Sequence, residues 1–235
     1  MAHFTSSSVH PLLSSHTEGK DVLIIFSTDR GLCGGLNTNL FKSAWQWEKQ
    51  HPGAECIVLG KKAINFARRT GLTIAAQFTN LPEKASTGDI LPIASLITER
   101  FLSQEYREIS VIYMDFINTL TQKVRTVQLL PISESETQAT EIVSQAAGFS
   151  EYTFEPPARA ILDELLPYYI ENTLYQTLLE AKASEHSARM VSMKNASDNA
   201  KDLVGELQLI FNKSRQASIT NELLDITTAT LTVGN

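Results

Sequence analysis

Cysteine is nearly missing from this chain. Cys33 and Cys56 are the two present in 235 residues. So few thiols, so far apart, give neither a disulfide framework nor a paired metal or redox motif, and a reduced, cytoplasmic compartment is the default reading. No run approaches the roughly 18 apolar residues a transmembrane helix needs. The opening MAHFTSSSVHP lacks the basic and apolar segments of a secretory signal. Positive charge is not in excess: the net charge is -6, which gives no footprint for nucleic acid. The five histidines (His3, His10, His16, His51, His186) show neither HxxxH nor HExxH spacing, so no metal site is expected. With 43% hydrophobic and 20% charged residues, what remains is an ordinary globular composition.

The most informative scarcity is that of helix breakers. From Tyr168 to Val233 there is one glycine, Gly205, and no proline. Ala, Leu, Glu, Lys, Met and Gln dominate, so the stretch reads as one helix of roughly 100 Å. That exceeds the diameter of any domain the rest of the chain could form. Ala196, Ala200, Leu203, Leu207 and Ile210 follow one another in steps of four and three, a coiled-coil seam. Beyond Phe211 the seam turns small and polar at Ser214 and Asn221, within KSRQASITNE. Two readings stand at this point: a helix folded back on the body with a solvated tip, or a shaft that projects into a partner.

Before this helix the pattern alternates. Residues 1–20 read as a loose leader. Apolar, β-branched runs at 21–27, 54–59, 72–78, 109–116 and 123–130 read as strands, with helices at 38–50, 60–70 and 89–104. Gly71 closes the second helix, and Asp89 stands near the start of the third. The link INTLTQ is too short for a helical crossover, so the last two strands form a hairpin. The fold class is α/β: an open, mostly parallel, Rossmann-like sheet with flanking helices, plus the long C-terminal helix. The expected divisions are 1–20, 21–155 and 156–235, with a kink or break at Pro167.

STDRGLCGGLN follows the first strand, where a parallel sheet would bind phosphate. Gly31, Gly34 and Gly35 do not make GxGxxG, and no GK[ST] follows. Their structural reading is turns at positive φ and close packing, with Asp29 and Arg30 bracing the loop. Cys33 has no activating base nearby in sequence, and His186, Ser187 and the adjacent acids form no triad. An independent α/β nucleotide-binding module and a coiled-coil adaptor remain the alternatives.

STDRGLCGGLN, together with ASEHSARMVSMKNASDNAKDLVGELQLIFNKSRQASITNELLDI, resembles the gamma subunit of bacterial F-type ATP synthase. FINTLTQKVRTVQLLP and FEPPARAILD support the match, which runs in order over about residues 10–230. The resemblance implies the central stalk of a rotary motor. It is a non-catalytic subunit without cofactors that couples proton flow to conformational change at the beta-subunit catalytic sites. Implied partners are the alpha and beta subunits, the epsilon subunit and the c-ring, with the membrane met only through the c-ring. The implied location is peripheral, on the cytoplasmic face of the bacterial plasma membrane. Arg215 and Gln216 match the family's polar contacts to the beta subunits, with Thr220 and Glu222 in the same segment. Glu155 matches a family Glu-Pro at the foot. No closely spaced cysteine pair implies a thiol switch. The family begins with a long amphipathic helix antiparallel to the C-terminal one, whereas this sequence starts, at MAHF, about where that helix would end. The expectation is a start at an internal methionine, in preference to a separately encoded helix or a non-functional, truncated gamma fragment.

Overall fold

The computed structural model describes residues 10–132 and 157–233, with backbone only at 158 and 230–233. The elements are β1 (Lys20–Phe26), α1 (Leu36–Gln50), β2 (Glu55–Leu59), α2 (Lys61–Thr70), β3 (Thr73–Phe78), α3 (Leu91–Leu102), β4 (Tyr106–Phe116), β5 (Gln122–Leu130) and α4 (Ala158–Val233). The five strands form one sheet in the order β3-β2-β1-β4-β5. β1 pairs in parallel with both β2 and β4, and β2 with β3. β5 pairs antiparallel to β4 through the expected hairpin.

Both faces of the sheet are covered, as buried parallel strands require. On one face Leu23, Ile25, Val58, Ile112 and Met114 pack with Leu40 and Ala44 of α1 and Ala63, Ile64 and Ala67 of α2. On the other, Val22, Ile24, Ile57, Ile109 and Val111 meet Ile93, Ile97 and Phe101 of α3. Leu166, Ile170, Leu174 and Leu178 of α4 join this second core. Their steps of four make one stripe of the helix. Strand alternation assigns each residue of β1 to one layer or the other, although Asp21–Phe26 are all buried.

Contacts group the chain into one unit ending at Arg189 and another starting at Met190. In the first, α4 is part of the sheet's covering layer. In the second, every described residue from Met193 to Ala229 is exposed.

Two sequence expectations need correction. Pro167 neither breaks nor ends the helix; α4 runs through it from Ala158. Its missing N–H and the clash of its ring would disfavour a free helix by about 3 kcal/mol. Leu166 and Ile170, buried on either side, supply compensating contacts. Nor are residues 10–20 a loose leader. Leu12 is fully buried, its carbonyl accepts from the Ile132 amide, and His10 lies 3.2 Å from Asp163 of α4. Asp89 does act near the start of α3, but through a capping box with Ser86 around a short 3-10 turn.

Gly60 joins β2 to α2 at φ 90°, and a Cβ there would lie 2.3 Å from the Ser27 carbonyl oxygen. No side chain fits such an approach between backbones. Gly71, also at positive φ, has open space around it. Gly60→Ala should therefore cost about 3 kcal/mol or more, against about 1 kcal/mol for Gly71→Ala. Urea unfolding followed by far-ultraviolet circular dichroism checks the difference; equal losses would contradict it.

Candidate functional site

The crevice beyond the carboxyl ends of β1, β2 and β4 is where an open α/β sheet ordinarily takes a ligand, because the chain reverses its direction of winding there. Here a cleft of about 390 Å³ occupies that place. It is lined by Thr28, Asp29 and Arg30 after β1, Lys61 at the start of α2, and Asn80 and Glu83 after β3. Leu178, Lys182, Glu185 and Arg189 of α4 form its remaining wall. The chain's own helix thus occupies much of the ligand position.

The first amides of α2 are capped from within. Asp29 Oδ1 accepts from the Lys61 amide at 2.9 Å, and Ser27 Oγ accepts from the Ala63 amide at 2.8 Å. These amides are the unpaired donors that would bind an anion at a helix N-terminus. The Gly-rich loop is braced differently from expectation. Asn37 donates to the Thr28 hydroxyl at 2.8 Å and to Cys33 Sγ at 3.3 Å, and the Thr28 hydroxyl donates to the Arg30 carbonyl. Asp29 caps α2 rather than bracing the loop, and Arg30 contributes its carbonyl. Of the three loop glycines only Gly34 takes positive φ, 59°; Leu32 takes it too, at 64°.

The loops around the crevice grip α4. Tyr175 donates to the Ala85 carbonyl, and Lys182 to the Pro82 and Glu83 carbonyls. Ser184, fully buried, donates to the Met114 carbonyl at 2.9 Å, and Ser187 to the Thr119 carbonyl at 2.9 Å. Arg189 reaches the Gly31 carbonyl and pairs with Glu185. In the sequence Ser187 belongs to no triad, and nothing marks Ser184. No local signal marks them, since a helix serine can always bond the carbonyl four residues back.

The titratable groups here are structural. Tyr113, buried on β4, has its hydroxyl held well above the usual range, first by burial and then by the Glu180 carboxylate. Burial pushes the Cys56 thiol up to about 12. Among the described residues no three His, Cys, Asp or Glu side chains gather where they could hold a metal ion. No described helix is long and apolar enough to cross a membrane.

The second unit carries the predicted seam and contact residues. Ala196, Ala200, Leu203, Leu207 and Ile210 are all exposed, Leu203 and Leu207 at 56% each. Leu209, Phe211, Leu223, Leu224 and Ile226 add further exposed apolar surface. Arg215, Gln216, Thr220 and Glu222 are exposed as well, and the Thr220 hydroxyl donates back to the Gln216 carbonyl at 2.8 Å. Glu155 lies outside the described residues.

Fold and site together define an α/β body that holds the root of one long helix, whose further length leaves large apolar side chains exposed. A family model described as ATP synthase matches residues 1–232. An ATP synthase gamma chain of Pelotomaculum thermopropionicum is 44% identical over 221 residues, covering 92% of this chain and 75% of that one. That of Glaesserella parasuis is 40% identical over 233 residues, covering 96% and 80%. The chain belongs to the ATP synthase gamma chain family. The same fold recurs in a solved structure titled as the rotor of Euglena gracilis mitochondrial ATP synthase. That chain has a TM-score of 0.60 and 22% identity, with 89% of this chain and 81% of that one covered. A second Euglena structure, titled as OSCP/F1/c-ring, gives a TM-score of 0.64 at 23% identity over 95% and 78%.

With a pKa of about 12, Cys56 should be thiolate in roughly one molecule in 10⁴ at pH 8. The folded chain should leave it unmodified by a disulfide reagent at that pH and expose it only on denaturation. Labelling followed by peptide mass spectrometry checks this; rapid modification of native Cys56 would refute it.

Proposed function

We propose that this chain is the central-stalk rotor subunit of a proton-transporting F-type ATP synthase. It couples proton flow through the membrane sector to conformational change at catalytic sites on the beta subunits. The observation that carries the reading is the exposed length of α4, with an apolar seam at Ala196, Ala200, Leu203, Leu207 and Ile210 followed by a mostly polar stretch through Lys213–Glu222. A helix so exposed is marginal alone in water and needs a cover. Membership in the gamma chain family supports a cover from the alpha and beta subunits around the shaft; the c-ring and the epsilon subunit belong to the proposed foot contact.

The physical mechanism is allosteric. Each angle of an asymmetric shaft contacts the catalytic subunits differently, so each angle stabilises a different set of their conformations, as a bound effector would. Arg215 supplies a planar set of donors and Gln216 both a donor and an acceptor to the surrounding collar of subunits. The Thr220 hydroxyl proton is used within the helix, which leaves its oxygen to accept. Glu222 presents the one negative charge of the set. Glu155 belongs to the proposed foot contact. This chain supplies no covalent chemistry and no cofactor. It reaches the membrane, on the cytoplasmic face of the bacterial plasma membrane, through the c-ring.

Arg215→Ala with Gln216→Ala should lower ATP-driven proton pumping about tenfold in the assembled complex, through the loss of charge-assisted and amide hydrogen bonds. The thermal transition of the body should not move, because both residues are exposed. Pumping in vesicles and calorimetry of the subunit check the two halves. Full pumping by the double variant would remove the assigned contact.

A further inference from the structure

The side chains that anchor α4 to the body are not on one face. Tyr175, Lys182 and Arg189 are seven residues apart, nearly two whole turns each, so they form one stripe. They bond the backbone after β3 at Pro82, Glu83 and Ala85 and the loop after β1 at Gly31. Ser184 and Ser187 each stand two residues from a member of that stripe, about 200° around the helix. They bond the β4–β5 hairpin, at Met114 and Thr119. The helix is therefore held from two nearly opposed sides within its last two turns before Met190.

Apolar packing alone would resist this geometry poorly. Burial is non-directional, so a stripe of Leu and Ile does not by itself favour one angle of the helix as sharply as oriented bonds do. Hydrogen bonds lose strength steeply with angle, so they do resist rolling. Every acceptor in the set is a main-chain carbonyl, fixed by the strands and turns that carry it. Turning α4 about its own axis must misalign both sets at once, because opposed anchors move in opposite directions.

We propose that this two-sided set, Tyr175, Lys182, Ser184, Ser187 and Arg189 against backbone carbonyls, is the torsional anchor that passes torque between body and shaft. The proposal rests on the rotor reading above and names the residues in the body on which it depends. These are positioning residues; none touches a reacting group.

Two double variants test it in the assembled complex with alpha, beta, epsilon and c-ring. Ser184→Ala with Ser187→Ala removes the hairpin side. Lys182→Met with Arg189→Met removes donors of the opposite stripe, and its partly exposed positions keep the test available if the buried serine pair fails to fold. The readouts are torsional stiffness, from angular fluctuations of a bead on the c-ring with the shaft held in the catalytic ring, and protons pumped per ATP hydrolysed. Each variant should be softer by about twofold or more, since all or most of one side of the grip is gone. Protons pumped per ATP should fall while ATP hydrolysis is kept or raised. Variants that assemble with unchanged stiffness and pumping would overturn the anchor, as would losses that follow only the melting temperature. Failure of the unmodified chain to assemble with alpha and beta would overturn the rotor reading itself, a distinguishable result.

Discussion

Everything in this chain turns on a helix that needs more cover than its own body supplies. Up to Leu178, α4 buries Leu166, Ile170 and Leu174 against the sheet as any core helix does. From Met193 to Ala229 each described residue is exposed, Leu203, Leu207, Ile210 and Phe211 among them. Burying a side chain of that size contributes about 1.5–3 kcal/mol, so the uncovered seam amounts to a large unsatisfied driving force for association. Intrinsic propensity cannot replace it.

The body is an α/β sheet diverted from the use its architecture ordinarily serves. Its crevice at the strand ends, the usual place for a nucleotide, is walled by Leu178, Lys182, Glu185 and Arg189 of the same helix. The Lys61 and Ala63 amides at the start of α2 are bonded to Asp29 and Ser27. Loops that in other α/β proteins select a ligand here select a helix and fix its orientation. The parts are main-chain carbonyls, short loops and a rigid sheet.

Much of this was legible in the sequence because it depends on periodicity. Strand runs, the hairpin at INTLTQ and the unbroken helix are local patterns, and the observed elements follow them. The strong sequence motifs also led to the gamma chain family. The expectations that failed depend on tertiary contacts. Pro167 reads as a break unless the burial of Leu166 and Ile170 is known. The Ser- and His-rich start reads as loose unless Leu12 is seen under α3 and α4. Asp29 looked like a loop brace, but its partner is 32 residues away at Lys61. The roles of Ser184 and Ser187 were not legible, because their acceptors lie across the hairpin. The seam Ala196–Ile210 and the polar set Arg215, Gln216, Thr220 and Glu222 were legible as a pattern, and all nine residues are exposed.

The most direct measurement is hydrogen–deuterium exchange of the isolated chain and of the chain assembled with alpha and beta subunits. The account predicts slow exchange at 166–189 in both states. At 190–229 exchange should be fast in the isolated chain, or slowed only by self-association, and strongly slowed on assembly. A dilute, monomeric chain whose amides exchange slowly throughout 190–229, with no change on adding alpha and beta, would contradict it.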